Sequence, residues 1–515
     1  MRNTIIRTAA LALPLTLLAV APWPASVAAP GDLDPSFGGD GVVVVDEGVE
    51  EQAHATVVQP DGKVVVVGEA VIGNNTEALV VRLNADGSRD SAFGYQVLAG
   101  KPGSYNELAE AVALQPDGKI VVAGRTSSNQ DGAVWRLLPS GEPDPSFGGG
   151  DGLATIDSGA HEYLYDMALS PEGGVVVAGH STVNGGEAVV YRLTSAGEMD
   201  GTFDGDGALG IGSDGSIAYG VAVQPDGKVL LAGTIGPSYG MVVRRLTAGG
   251  APDLTFGGND GEATSVDYGD ARDIVVQPDG RIVVVGDVYA PNGNDALLVR
   301  YTATGQPDPT FGSPSGVQFD LGYNEDLYSV ALMPGGGVVA SGSSDAGDEA
   351  MVVRVTATGQ PQAGFGTEGV LTLPGTIATG EGVAAASDGR VVVVGDDRKY
   401  SPSVLVYRLL ADYQPTQPQP TTYRCQGKVA TIVGTPGKDR ITGTRGADVV
   451  VALGGNDVVD GLDGNDLVCA GDGDDAVKGG PGKDVLRGEK GRDRLVGGTG
   501  KDRLVGGPQQ DSVTQ

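Results

Sequence analysis

Three short landmarks recur in step along most of this chain, and that self-similarity limits its fold more than any other feature. The first ends in phenylalanine, at Phe37, Phe93, Phe147, Phe203, Phe256, Phe311 and Phe365. The second is a turn, QPDGK from Gln59, Gln115 and Gln224 and QPDGR from Gln277, with looser forms from Ser170, Met333 and Ala386. The third is an apolar stretch with one arginine: Arg82, Arg136, Arg192, Arg245, Arg300, Arg354 and Arg408. All three count to seven. Each unit reads as four short Val-rich strands bounded by Gly, Pro, Asp and Asn, such as GVVVVD, ATVV, VVVVG and ALVVRL in the first. No segment here carries a sustained helical period. In the Pro-Asp-Gly turn, Pro fixes φ, Asp bonds the local backbone and Gly takes the left-handed position. Asp61, Asp117, Asp226 and Asp279 are therefore expected to be structural.

Seven four-stranded units predict an all-β fold with a seven-bladed β-propeller over residues 31–411; a linear solenoid is the alternative. Closure favours the ring. The array opens with a strand that belongs to the outside of a blade and ends near Leu410 without one, so the first strand can complete the last blade. The segments Leu33-Asp34-Pro35-Ser36-Phe37-Gly38 and Gln59-Pro60-Asp61-Gly62-Lys63 resemble the bacterial delta-60 repeat family, and the resemblance implies propeller architecture without implying an activity.

In such a meander the Pro-Asp-Gly turns share one face. The opposite face varies, with NNTE, SNQDG, VNGGE, GPSYG, PNGND, DAGDE and RKYSPS in the second-to-third connections. Counting back from each turn places His54, Glu110, Tyr165, Tyr219, Arg272, Tyr328 and Glu381 around the channel mouth, as a candidate site for a glycan, peptide or small-molecule ligand. Glu107, Glu162, Asp166, Asp270, Asp273, Glu325 and Asp326 are expected to make its rim acidic. A water-filled channel with a solvated face is the plainer alternative. With three histidines and no Gly-x-Ser-x-Gly, His-Glu-x-x-His or phosphate-loop pattern, no catalytic residues are assigned. Were the mouth a hydrolase or lyase, Glu110, Asp166 or Glu381 would be its acid or base.

Residues 1–28, with Arg2, Arg7, an apolar run from Ala9 to Ala21 and small residues at Ser26 and Ala28, read as a Sec-type signal peptide; an uncleaved anchor is the rival, although the run is shorter than the ~20 residues of a span. Secretion into an extracellular setting follows. With 34 Lys plus Arg against 66 Asp plus Glu, the formal charge is -32, which disfavours nucleic acid and anionic membranes and favours cations. In an exported chain the two cysteines, Cys425 and Cys469, are expected to pair, with two free thiols as the alternative. A monomer is expected.

A Pro/Gln/Thr-rich linker is read at 412–424 and a second domain at 425–515. From Gly434 the chain falls into nine unbroken nonapeptides, with Asp439, Asp448, Asp457, Asp466, Asp475, Asp484, Asp493, Asp502 and Asp511 at position six. Position eight, Ile441, Val450, Val459, Val468, Val477, Leu486, Leu495, Leu504 and Val513, should face inward. The pattern resembles the RTX, or hemolysin-type, calcium-binding family. Six residues make a turn, three a strand, and two nonapeptides one coil of a parallel β-roll. Calcium, which takes six to eight oxygens, would bridge aspartates eighteen apart, such as Asp457 to Asp475 or Asp448 to Asp466, with seven ions as the ceiling. Asn456, Asn465, Asp463, Asp472 and Asp474 are expected to strengthen the middle turns, and a Cys425–Cys469 bridge to cap the open end of the roll. The roll is expected to fold on binding calcium. Together these readings give an exported calcium-binding protein whose propeller presents a binding face; a propeller enzyme or a surface adhesin are the alternatives.

Overall fold

In a computed structural model the chain forms two compact units, Met1–Tyr413 and Gln414–Gln515. The structure describes residues 29–514 except 99, 101–105, 127–129, 184–185, 213–214, 235–239, 292, 313–315, 346–348, 374–378, 397–402, 412–423, 427, 434–437 and 508. The signal-peptide segment, nearly all of the linker and parts of the variable connections lie outside the described residues.

The first unit is a seven-bladed propeller of four-stranded antiparallel sheets, with no α-helix among the described residues. In the first blade the inner strand Glu50–Val58 pairs with Val64–Ile72, then Asn75–Leu83, then the outer strand Tyr95–Leu98. Five further blades repeat this order, with inner strands Leu108–Leu114, Glu162–Leu169, Ile217–Val223, Ala271–Val276 and Glu325–Leu332. The seventh contributes Gly382–Ala385, Val391–Asp396 and Val404–Leu409, and its outer strand is Val42–Val45, paired from Val42↔Tyr407 to Val45↔Val404. The ring is thus closed by the first strand.

The three landmarks meet in one contact. In the second blade Arg136 Nε lies 2.7 Å from Asp144 Oδ2, its Nη2 donates to Ser146 Oγ at 3.0 Å, and its guanidinium sits 4.5 Å over the Phe147 ring. Its Nη1 donates to the carbonyl of Ser195, in the third blade, at 2.6 Å. The same reach into the next blade is made by Arg82 to Pro139, Arg192 to Ala248, Arg245 to Ala303, Arg300 to Ala357 and Arg408 to Ala85. The base that follows the Pro-Asp-Gly turn adds a second cation: Lys119 Nζ lies 3.2 Å from Asp144 Oδ2. In the turns, Asp61, Asp117, Asp226 and Asp279 accept the backbone N–H two residues on, which is the structural part expected of them.

The second unit is a parallel β-roll of two five-stranded sheets in which paired strands are eighteen residues apart, as in Val449↔Leu467 and Val458↔Ala476. Its core is the position-eight column from Ile441 to Leu495 with Ala452 and Ala470. Val513 departs from expectation: it is 49% exposed, because its strand Ser512–Thr514 pairs on one side only, with Arg494–Gly500.

Asp144 and Arg136 are both nearly inaccessible. Burial opposes the charge on Asp144, yet the Ser146 N–H and hydroxyl with the Lys119 and Arg136 cations hold its carboxyl far below the usual range. Removing one member strands a buried charge. Asp144→Ala should cost about 3–5 kcal/mol in equilibrium unfolding by urea. A loss under about 1 kcal/mol would show the contact to be incidental.

Candidate functional site

Six of the seven inner strands contain a β-bulge, and the bulged residue is the one that faces the channel. Register shifts fall at Ala53/Ala55, Ala109/Ala111, Leu164/Asp166, Ala218/Gly220, Ala271/Asp273 and Leu327/Ser329, which places His54, Glu110, Tyr165, Tyr219, Arg272 and Tyr328 at the extra position. A bulge re-aims a side chain out of the pleat. It also brings a carbonyl against the paired strand, where only glycine fits: a Cβ at Gly179 would run into Tyr163 O, and one at Gly233 into Ile217 O. The glycine ending each VVVVG-like strand is the sequence signal for this device.

These six side chains and Glu381 line one central cavity of about 440 Å³, along with Gln52, Asp166, Asp273, Ser329 and Asp396. Its wall has two arcs. In the ionic arc, His54 Nδ1 lies 3.1 Å from Glu110 Oε2 and 3.1 Å from the Ala109 carbonyl. Burial opposes charge on the ring, but Glu110, aided by Glu69 and Glu381, outweighs it and pushes His54 up to about 9. In the aromatic arc the Tyr165 and Tyr219 rings are 5.5 Å apart and Arg272 sits 4.5 Å over Tyr219. Arg272 also pairs with Asp270 at 3.0 Å, and Tyr328 hydrogen-bonds with Ser343 Oγ at 2.9 Å. The two arcs offer stacking surface on one side and charged acceptors on the other.

Asp166 and Asp273 follow their bulges and tie blades together. Asp166 accepts the N–H of Val221 at 2.7 Å and Asp273 that of Val330 at 2.7 Å. Burial pushes Asp166 up to about 6 against those amides; burial and the Asp166 charge raise Asp273 well above the usual range.

Glu107, Glu162 and Glu325 do not form an acidic rim. Each is essentially inaccessible, facing the neighbouring blade, because burial alternates along the inner strand: Glu162 and Leu164 are buried on one side while Tyr163 is not. Period-two alternation separates residues that sequence proximity groups together.

In the roll, from Asp457 to Asp511, the Oδ1 atom of each position-six aspartate accepts the N–H of the aspartate eighteen residues earlier. The ladder runs Asp439 to Asp457 (2.8 Å), Asp448 to Asp466 (2.9 Å), Asp457 to Asp475 (2.7 Å), Asp466 to Asp484 (2.9 Å), Asp475 to Asp493 (3.0 Å) and Asp484 to Asp502 (3.0 Å). The second oxygen of Asp457, Asp466, Asp475, Asp484 and Asp493 is buried with no hydrogen-bond partner. It lies beside the first residue of its own nonapeptide: a Cβ at Gly461 would meet Asp466 Oδ2 and the carbonyl oxygen of Gly479, and one at Gly479 would meet Asp484 Oδ2 and Gly497 O. An orphaned carboxylate oxygen close to a backbone carbonyl, at a place too tight for a methyl group, fits a hard cation. Burial and neighbouring aspartates raise these carboxyls, Asp475 up to about 6.

The position-five residues do something else. Asn456, Asn465 and Asp474 are exposed and accept the N–H of Asp474, Lys483 and Arg492, each eighteen residues on, so they form an outer ladder instead of reaching the inner oxygens. Asp463 is exposed too, and the Asp472 side chain lies outside the described residues. The Cys425–Cys469 disulfide is present, yet it packs Cys425 with Leu467 and Cys469 against Val449, Val451 and Val485, on the outer face of one sheet, and does not cap an end. Position nine of the nonapeptide points outward, which decides the matter.

Family models match both repeat arrays. A domain of unknown function (DUF5122) beta-propeller model matches residues 59–93, 115–147, 224–256 and 277–311, and the RTX calcium-binding nonapeptide repeat (4 copies) model matches 433–468, 442–477, 469–504 and 478–513. The chain therefore carries DUF5122-type propeller repeats followed by RTX calcium-binding repeats. No curated protein matches it. Among solved structures it is similar to Kuenenia stuttgartiensis hydrazine synthase (14% identity, 70% of this chain and 96% of that one, TM-score 0.45). It is also similar to Drosophila Semaphorin 1a extracellular domains 1-2 (9% identity, 70% and 86%, TM-score 0.41). Likenesses this distant say nothing about activity.

The ion pair in the cavity predicts a visible titration. By NMR, His54 should titrate near 9, and Glu110→Gln should bring it down toward ~6.5. A ring that already titrates near ~6.5 in the unaltered protein contradicts the geometry.

Proposed function

We propose that this is an exported calcium-binding protein whose roll is completed by calcium and whose propeller presents its central cavity to a ligand. The row of orphaned, buried Oδ2 atoms carries the first part, since five carboxylate oxygens without donors need a countercharge. Calcium supplies that charge, and the chain's own groups do the rest: Oδ1 atoms tie successive turns, Oδ2 atoms and first-position carbonyls line the ion's space, and the valine and leucine column keeps the turns in register. Seven ions is the ceiling for nine stacked turns. The position-six ligands are Asp439, Asp448, Asp457, Asp466, Asp475, Asp484, Asp493 and Asp502. Removing the metal leaves repelling carboxylates over a thin core, so folding of the roll is coupled to calcium. Export is supported by the character of residues 1–28 and by the disulfide.

Hydrogen exchange on the full chain tests this. In chelator, amides between 440 and 505 should exchange as in an unfolded chain while those of 50–409 stay protected, and about 1 mM calcium should restore protection. Asp466→Asn with Asp484→Asn should lower the number of ions taken up in equilibrium dialysis. No calcium uptake at physiological ionic strength would overturn the reading.

For the propeller, the meeting of seven side chains from seven blades in one cavity supports a small polar ligand with one flat apolar face, such as a saccharide: Tyr165 and Tyr219 would stack against it, and Glu110 and Glu381 would accept its hydroxyls. A glycan screen with the intact protein should return a binder whose affinity falls at least about tenfold on Tyr219→Ala. A binder indifferent to Tyr219→Ala would place recognition elsewhere.

A further inference from the structure

The alternation that turns glutamates away from the channel drives them into the seams between blades, where further acids await them. Between the second and third blades, Glu162 is 0% exposed and Asp131, on the third strand of the second blade, is 4% exposed. Asp157 follows that blade's outer strand Leu153–Ile156. Between the fifth and sixth blades the same three places hold Glu325, Asp295 and Asp320, with exposures of 0% and 6% for the first two. At that seam one carboxylate oxygen from each of the three lies within 4.8 Å of the others.

A second observation comes from the other seam. Glu162 Oε2 is buried and has no hydrogen-bond partner; Oε1 takes the Ser158 hydroxyl. The charges acting on Glu162 are those of Asp131 and Asp157, both negative, and Asp295 acts likewise on Glu325. The aspartate after the outer strand is held in place by its own turn, with Oδ1 accepting the N–H two residues on: Gly159 to Asp157 at 2.9 Å and Gly322 to Asp320 at 2.8 Å. That fixes each carboxylate while leaving Oδ2 free of the turn. Both seams therefore show the spacing Asp-x-Gly-x-x-Glu, closed by an acid from the adjacent strand. The first blade repeats the spacing with Asp46 and Glu51 but meets Ser403 at the closing place, and the fourth and fifth blades have Ser216 and Gly269 where Glu162 stands. The full set of acids is thus present at two seams and not by default of the repeat, with oxygens converging within 4.8 Å between the fifth and sixth blades and the unpartnered Glu162 oxygen between the second and third.

We propose that each of these two seams binds a calcium ion, through Asp131, Asp157 and Glu162 at one and Asp295, Asp320 and Glu325 at the other. Three carboxylates offer the charge and the hard oxygens this cation takes, and backbone carbonyls or water complete the shell. The ion joins the inner strand of one blade to the outer half of its neighbour, so the propeller, like the roll, is steadied by calcium at its own sites. This goes beyond the proposed function, which places calcium in the nonapeptides only.

Ion counting on the full chain separates the two. In equilibrium dialysis at saturating calcium, Glu162→Gln with Asp131→Asn should bind one ion fewer than the unaltered protein, Glu325→Gln with Asp295→Asn one fewer, and the four together two fewer. The calcium protection of amides 440–505 should be unchanged. Calcium should raise the melting temperature of the propeller transition in the unaltered protein and not in the fourfold variant. In chelator that variant should melt no lower than the unaltered protein, since it loses buried repulsion; a merely structural glutamate would lower it. If the amide variants do not fold, Glu162→Ser and Glu325→Ser, which copy the fourth blade's own residue, serve in their place. An unchanged ion count in a folded variant, or a propeller transition indifferent to calcium in the unaltered protein, overturns the proposal whether or not the roll binds calcium.

Discussion

A buried guanidinium saturated on every side makes a ring out of seven otherwise separate sheets. In the second blade Arg136 spends Nε on a carboxylate, Nη2 on a hydroxyl, Nη1 on a carbonyl of the next blade and its face on a phenyl ring. A charge removed from water needs all of these partners, and lysine, with its compact ammonium, could not supply the planar fork. Because the Nη1 acceptor belongs to the neighbouring blade, a blade satisfies its own arginine only when docked. The departures follow the charge. In the sixth blade Gln362 replaces the acid and Gly337 the basic residue, while Arg354 stays 5.9 Å over Phe365. The third blade keeps Asp200 but has Gly174 in place of the base, and its pair is more exposed than that of the second blade.

With the blades fixed, a single extra residue in each of six inner strands decides what each face receives. The bulge points His54, Glu110 and their counterparts into the channel, and the unbulged stretch before it continues the pleat, so that Glu51, Glu107, Glu162 and Glu325 fall into the seams. The acids of the channel and those of the seams thereby meet different environments. Around the cavity they have a histidine and an arginine for company; in the seams at Glu162 and Glu325 the charges that act on them are acids.

Much of this was legible in the sequence. Landmarks that count to seven give the blade number, and an unpaired outer strand at the start gives closure. The channel ring could be counted back from the Pro-Asp-Gly turns, since every blade keeps the same number of residues between ring position and turn. Legibility stops where two chain-distant groups set the outcome. The glycine of VVVVG was visible, but its reason, a carbonyl pressed against it by the bulge, exists only once the strands pair. Asn456 and Asn465 have ligand chemistry, yet position five points outward and its oxygens are claimed by amides of the next coil. Cys469 stands at position nine, whose outward direction puts the disulfide on a sheet face.

The strand Val42–Val45 finds its partner more than 350 residues later, at Val404–Tyr407. Until the chain has emerged as far as that point, the valine-rich segment has no ladder to join and the ring stays open at one edge. Such a vacant edge can recruit the same strand from another molecule, so slow or incomplete delivery of the C-terminal blade would favour exchanged, chain-linked multimers over the closed ring.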